Sequence, residues 1–157
     1  MKRGWNKAGQ FYLVAAIVII AITAVLAVIS NYSTGKNLEK ASVLKEELGI
    51  ESSKVLDYIA INNITDKDTI INNFTGNFYN HSATNGLEIY FLTGDGGNID
   101  SYKYSENGKE DVPSETADGK IKININQNDY EFNIEKGENF HFVIYQQIEN
   151  EKHIVTS

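Results

Sequence analysis

The chain has 157 residues, 14 basic and 21 acidic, a formal net charge of −7 and no cysteine. The absence of cysteine excludes disulfides, thiolate metal sites and thiol nucleophiles, and an apolar N-terminal block leaves one domain of about 110–125 residues, enough to bury a core without covalent staples. Lys2, Arg3 and Lys7 precede that block, so the remainder sets 11 basic against 21 acidic residues, a formal charge of −10 that repels phosphate backbones and sets nucleic acid aside as a partner.

The block runs from Phe11 to Ile29, nineteen residues without a charge. As a helix it spans about 28 Å, close to the roughly 30 Å hydrocarbon core of a bilayer. Its basic flank lies wholly on the N-terminal side, which places residues 1–9 in the cytoplasm and residues 31–157 outside. Trp5, Phe11 and Tyr12 stand where an interfacial aromatic belt belongs. The alternative is a secretory peptide cut after Ala27, with Val25 and Ala27 at the −3 and −1 positions. Signal cores usually run about 7–15 residues, so the longer block favours a retained, single-pass membrane helix. Ala15, Ala16, Ala21, Ala24 and Ala27 are small enough for close helix–helix approach within the bilayer.

The stretch KAGQFYLVAAIVIIAI resembles the N-termini of archaeal type IV pilin-like surface proteins with a class III signal. The resemblance covers roughly 25 residues, a share read against the leader-plus-helix plan of such segments. It implies that a prepilin peptidase cuts between Gly9 and Gln10, that the helix from Phe11 onward stays on the mature chain, and that other pilin-like subunits are its partners. Ala8 stands where the family usually has a basic residue, and Val14 where many members carry a polar residue used in assembly.

After the polar break SNYSTGK, NLEKASVLKEELG predicts a helix with Leu38, Ala41, Leu44 and Leu48 on one face and Gly49 just past its end. Ser52 or Ser53 then caps a second helix, SKVLDYIAIN, striped by Val55, Leu56 and Ile59. Thr65 and Asp68 form a capping pair for a third, over 66–80, with Ile70, Ile71, Phe74 and Phe78 on one face. From Leu87 the period drops to two: LEIYFL is a strand ending in TGDGGN, and a shorter strand covers 99–104. Residues 105–120 read as an exposed loop around Pro113. Ile121/Ile123/Ile125, Tyr130/Phe132/Ile134 and Phe140/Phe142/Ile144 each alternate with other side chains across short turns, and a last strand covers 152–156. This predicts an antiparallel meander with one buried face.

The fold class expected is α+β: a long N-terminal transmembrane helix, short helices, then a meander of four to six strands, an outline that type IV pilins share. The plan is a leader at 1–9, a membrane and assembly helix at 10–30, a linker and stalk helix at 31–49, and an extracellular domain at 50–157. The expected role is structural, at the cell membrane and within a surface filament if the helices assemble. The alternative is a membrane-tethered binding module that forms no filament.

Four Asn-x-Ser/Thr sequons, at Asn31, Asn63, Asn73 and Asn80, all fall on the outer side and are glycosylation candidates. Asp95, Asn98 and Asp100 in TGDGGNID invite a calcium reading, yet Gly97 and Ile99 occupy ligand positions and the twelfth-position Glu of an EF-hand is missing, so a glycine-rich turn is preferred. His81, His141 and His153 lack metal-ligand spacing. No nucleophile–base set is visible, so neither an enzyme nor a cofactor or metal is expected.

Overall fold

The computed structural model describes residues 40–148 and 151–157. They belong to one compact unit, Lys40–Ser157. It is α+β, with two helices and eight strands in two antiparallel sheets. The long N-terminal helix expected over 10–30 lies outside the described residues. Among those described, no helix is long and apolar enough to cross a membrane.

Helix α1 covers residues 40–61 without a break, where two shorter helices were expected to meet at Gly49. The stripe explains the continuity. Ala41, Leu44, Leu48, Ser52 and Ile59 are all buried, so the predicted stripes join through Ser52 into one face. The Ser52 hydroxyl donates to the Gly49 carbonyl at 3.1 Å, which satisfies a polar group that would otherwise be a fault in that stripe. Tertiary burial thus overrides the local stop signal of Gly49. Residues 40–49, assigned to a stalk from sequence, pack into the same core as the sheet.

Helix α2, Lys67–Ser82, is capped by Asp66, whose carboxylate accepts from the Thr69 amide at 3.3 Å. The cap therefore sits one residue later than the Thr65 expected. Gly76 is in this helix because Tyr104 crosses it closely: a Cβ there would lie 3.1 Å from the Tyr104 hydroxyl oxygen.

Five strands form the central sheet: β1 (Leu87–Asp95), β2 (Asn98–Ser105), β3 (Gly108–Asp111), β7 (Glu138–Ile148) and β8 (Glu151–Thr156), in the order β3-β2-β1-β7-β8. The others, β4 (Ser114–Ala117), β5 (Lys120–Ile125) and β6 (Asn128–Asn133), form a second sheet in the order β4-β5-β6. The single meander with one buried face is thus replaced by two sheets, and the expected loop at 105–120 contains β3 and β4. Both short strands are fully exposed, so no hydrophobic alternation marked them.

The central sheet is covered on both faces at its middle strands, β1 and β7. Leu87, Ile89 and Phe91 of β1, with Phe142 and Ile144 of β7, meet Leu44 and Leu48 of α1 and Phe78 and Tyr79 of α2. Tyr90, Leu92, Val143 and Tyr145 project from the other face onto Ile121, Ile123 and Ile125 of β5. Register aligns the layers, with Phe91 opposite Phe142 and Ile89 opposite Ile144. A nearly continuous apolar run such as LEIYFL is what a doubly covered strand requires.

The turn into β1 depends on Gly86. Its φ is +71°, and a Cβ would lie 2.1 Å from the Gln147 carbonyl oxygen. The Gly86 carbonyl in turn accepts from the Gln147 amide at 2.9 Å. This pins the start of β1 to the end of β7.

Candidate functional site

Gly9, Gln10, Phe11, Tyr12, Val14, Ala15, Ala16, Ala21, Ala24, Ala27 and Asn31 lie outside the described residues. The other sequons cluster in the helical layer. Asn63 sits in the connection between α1 and α2 with φ +49°, whereas Asn73 and Asn80 are on α2. All three are exposed. Their hydroxyl partners differ. Thr65 is exposed, Ser82 is half-buried and Thr75 is fully buried. Thr75 donates to the Asn72 carbonyl at 3.1 Å and lies 3.2 Å from the Tyr102 hydroxyl, so it locks α2 onto β2.

The glycine-rich stretch is the β1–β2 hairpin, with Asp95 directly opposite Asn98. A protein cation already serves the acids here. The Lys67 ammonium is 3.1 Å from Glu138 and 3.6 Å from Asp95, and the hydrogen bond and charge of Glu138 raise its pKa. Asp100 pairs across the ladder with Thr93. Among the described residues, no three His, Cys, Asp or Glu side chains gather to hold a metal ion.

The histidines stay apart. His81 bonds to the Asn77 carbonyl at 2.8 Å within α2. His141 projects to the face opposite Phe140 and Phe142, stacks on Phe132 with centroids 5.0 Å apart, and meets the Asn133 carbonyl at 3.1 Å. Burial lowers its pKa, partly offset by that carbonyl and by Glu135. His153 is buried on β8, 3.8 Å from the Glu151 carboxylate.

Three arrangements escaped the sequence reading. Asn139 is 3% exposed and fastens the β6–β7 connection: its side chain accepts from the Glu135 amide at 2.8 Å and donates to the Gly137 and Glu135 carbonyls at 2.9 and 3.1 Å. An Asn in an Asn-rich chain carries no signal that would have singled it out. On the central-sheet face that Tyr90 shares with the second core, Glu88 accepts from the Tyr90 hydroxyl at 2.6 Å and from Lys103 at 3.3 Å, while Lys103 also reaches Glu110 at 3.4 Å. Burial and then the Glu88 carboxylate push the Tyr90 hydroxyl above the ordinary phenol range. The strand LEIYFL was readable, but only the strand pairing sets Lys103 opposite Tyr90 and within reach of Glu88. Lastly, an open groove of about 840 Å³ runs beside α1, with Lys45, Glu46, Ile50 and Lys54 on one side and Phe140 and Phe142 on the other.

The Lys67, Glu88 and Asn139 clusters are each closed by pairing within the domain. No protein-family model, curated protein or solved structure matches the chain.

Proposed function

We propose that the protein is a pilin-like, single-pass surface protein whose apolar N-terminal helix anchors or assembles it and whose acidic α+β domain faces outward. The observation that carries this reading is the junction KAGQF, a short basic head ending in Gly9-Gln10 directly before nineteen uncharged residues. The length suits a bilayer span and the one-sided basic flank orients it. A helix-on-sheet unit that buries its core without disulfides agrees with an exposed structural domain. Its partners on this reading are the lipid bilayer, a prepilin peptidase and other pilin-like subunits.

Val14 favours a second reading, a tethered binding module that forms no filament, because it supplies no polar group at the position used in assembly by the family it resembles. Peptide mass spectrometry of the mature N-terminus separates the two. A chain beginning at Gln10 supports the pilin-like reading. One beginning at Met1 or Lys2 leaves the tethered module, and one released after Ala27 overturns both.

A further inference from the structure

We propose that, of the three sequons among the described residues, Asn63 is the N-glycan acceptor of the folded protein, and that Asn73 and Asn80 close to glycosylation once α2 has formed. Occurrence in the cell rests on the outward placement of the domain proposed above; the acceptor geometry does not.

A sequon is used when one enzyme cleft holds the Asn amide and the hydroxyl two residues on together, which is why acceptors belong to surface loops. An α-helix turns about 100° per residue, so positions i and i+2 point to opposite sides. Asn73 and Thr75 show the consequence: Asn73 faces solvent while Thr75 is 0% exposed beneath the helix, bonded to Asn72 and Tyr102. Reaching that hydroxyl means lifting α2 off the sheet. Asn80 and Ser82 are subject to the same opposition in the last turn of α2.

Asn63 is free of it. Its backbone is in the left-handed region, outside both helices, and Thr65 is exposed. Capping of α2 falls to Asp66, so the Thr65 hydroxyl is not needed to start the helix. Beside the acceptor, Tyr58 and Ile61 are 56% and 78% exposed on the last turn of α1. A glycan on Asn63 would stand next to this apolar surface and shield it.

The donor class is a polyprenyl-diphosphate-linked oligosaccharide. A bond forms from Asn63 Nδ2 to the sugar C1, and the C1–O bond to the diphosphate breaks with its electrons on the departing diphosphate. The amide nitrogen loses one proton, and nothing is oxidised or reduced.

The test uses the purified full chain carrying Asn31→Gln, incubated with an N-oligosaccharyltransferase and its lipid-linked donor. Peptides bearing each described sequon serve as the unfolded reference, and site occupancy is read by mass spectrometry. The folded chain is expected to be modified at Asn63 within roughly tenfold of its peptide's rate, and at Asn73 and Asn80 at least about a hundredfold more slowly than theirs, because those sites wait for α2 to open. Asn63→Gln should then abolish the mass increment of the folded chain. Occupancy of Asn73 or Asn80 matching that of Asn63, or an unmodified Asn63 in the chain or in its own peptide, overturns the proposal. Because the reaction is run on isolated protein, its failure is distinct from finding the mature N-terminus at Met1.

Discussion

The two faces of the central sheet are filled with different side chains. Toward the helices the core mixes aliphatic chains with a cluster of rings: Phe91 lies 5.7–6.1 Å, centroid to centroid, from the rings of Tyr102, Tyr104 and Phe140, and Phe74 joins Phe78 to Phe140. Toward the second sheet it is mostly aliphatic, Ile121, Ile123 and Ile125 against Leu92 and Val143, with Tyr90 and Tyr145 buried beside them. A helix rests on a sheet at a few ridges and leaves deep gaps, which large rings fill. Two sheets meet as nearly flat surfaces about 10 Å apart, a spacing that β-branched chains suit. The comparison teaches that one strand serves both layers by alternation, so substitutions at successive residues of β1 probe different interfaces.

The largest expected effect comes from the aromatic side. Phe91→Ala, at 0% exposure, should cost about 3–5 kcal/mol in urea denaturation. Ile123→Ala on the other face should cost about 2–4 kcal/mol by the same measurement. A reversed order would break the distinction between the faces. Asn139→Ala removes the partner of the Glu135 amide and carbonyl, whereas the Gly137 carbonyl keeps the Gly96 amide, and should lower stability by about 1–2 kcal/mol. Milder changes sharpen the comparison: if the sheet insulates the two cores, the losses from Phe91→Leu and Ile123→Val should add to within about 0.5 kcal/mol in a double-mutant cycle.

The smallest expected effect concerns His141. Burial holds its pKa below 6.5 in the folded chain, so below that pH the unfolded chain binds the extra proton first. Stability should therefore fall as pH drops through 6.5 toward the folded value and level off beneath it. His141→Gln should flatten this part of the profile, measured by urea midpoints from pH 7 to pH 5. An unchanged slope would show that His141 takes no part.

Local pattern determined much of this molecule. The period-two runs at Ile121–Ile125 and Phe140–Ile144, the helical stripe through Phe74 and Phe78, the turn at Gly96-Gly97 and the α+β class follow from side-chain spacing and turn chemistry alone. The apolar block, the Gly9-Gln10 junction and the positions of the sequons are likewise properties of the sequence, because hydrophobic length and charge asymmetry need no partner to be read. Tertiary contacts decided the rest. Gly49 continues a helix because Leu44 and Leu48 ahead of it and Ile59 beyond it are all buried. β3 and β4 exist only through their partners' ladders, since GKED and SETA bury nothing of their own. The order β3-β2-β1-β7-β8 places β1 beside a strand about fifty residues away, a pairing no local window contains. Nor does sequence distinguish Thr65 from Thr75: the same residue type follows each Asn at the same spacing. Only the packing of α2 on Tyr102 puts one hydroxyl in solvent and the other in the core.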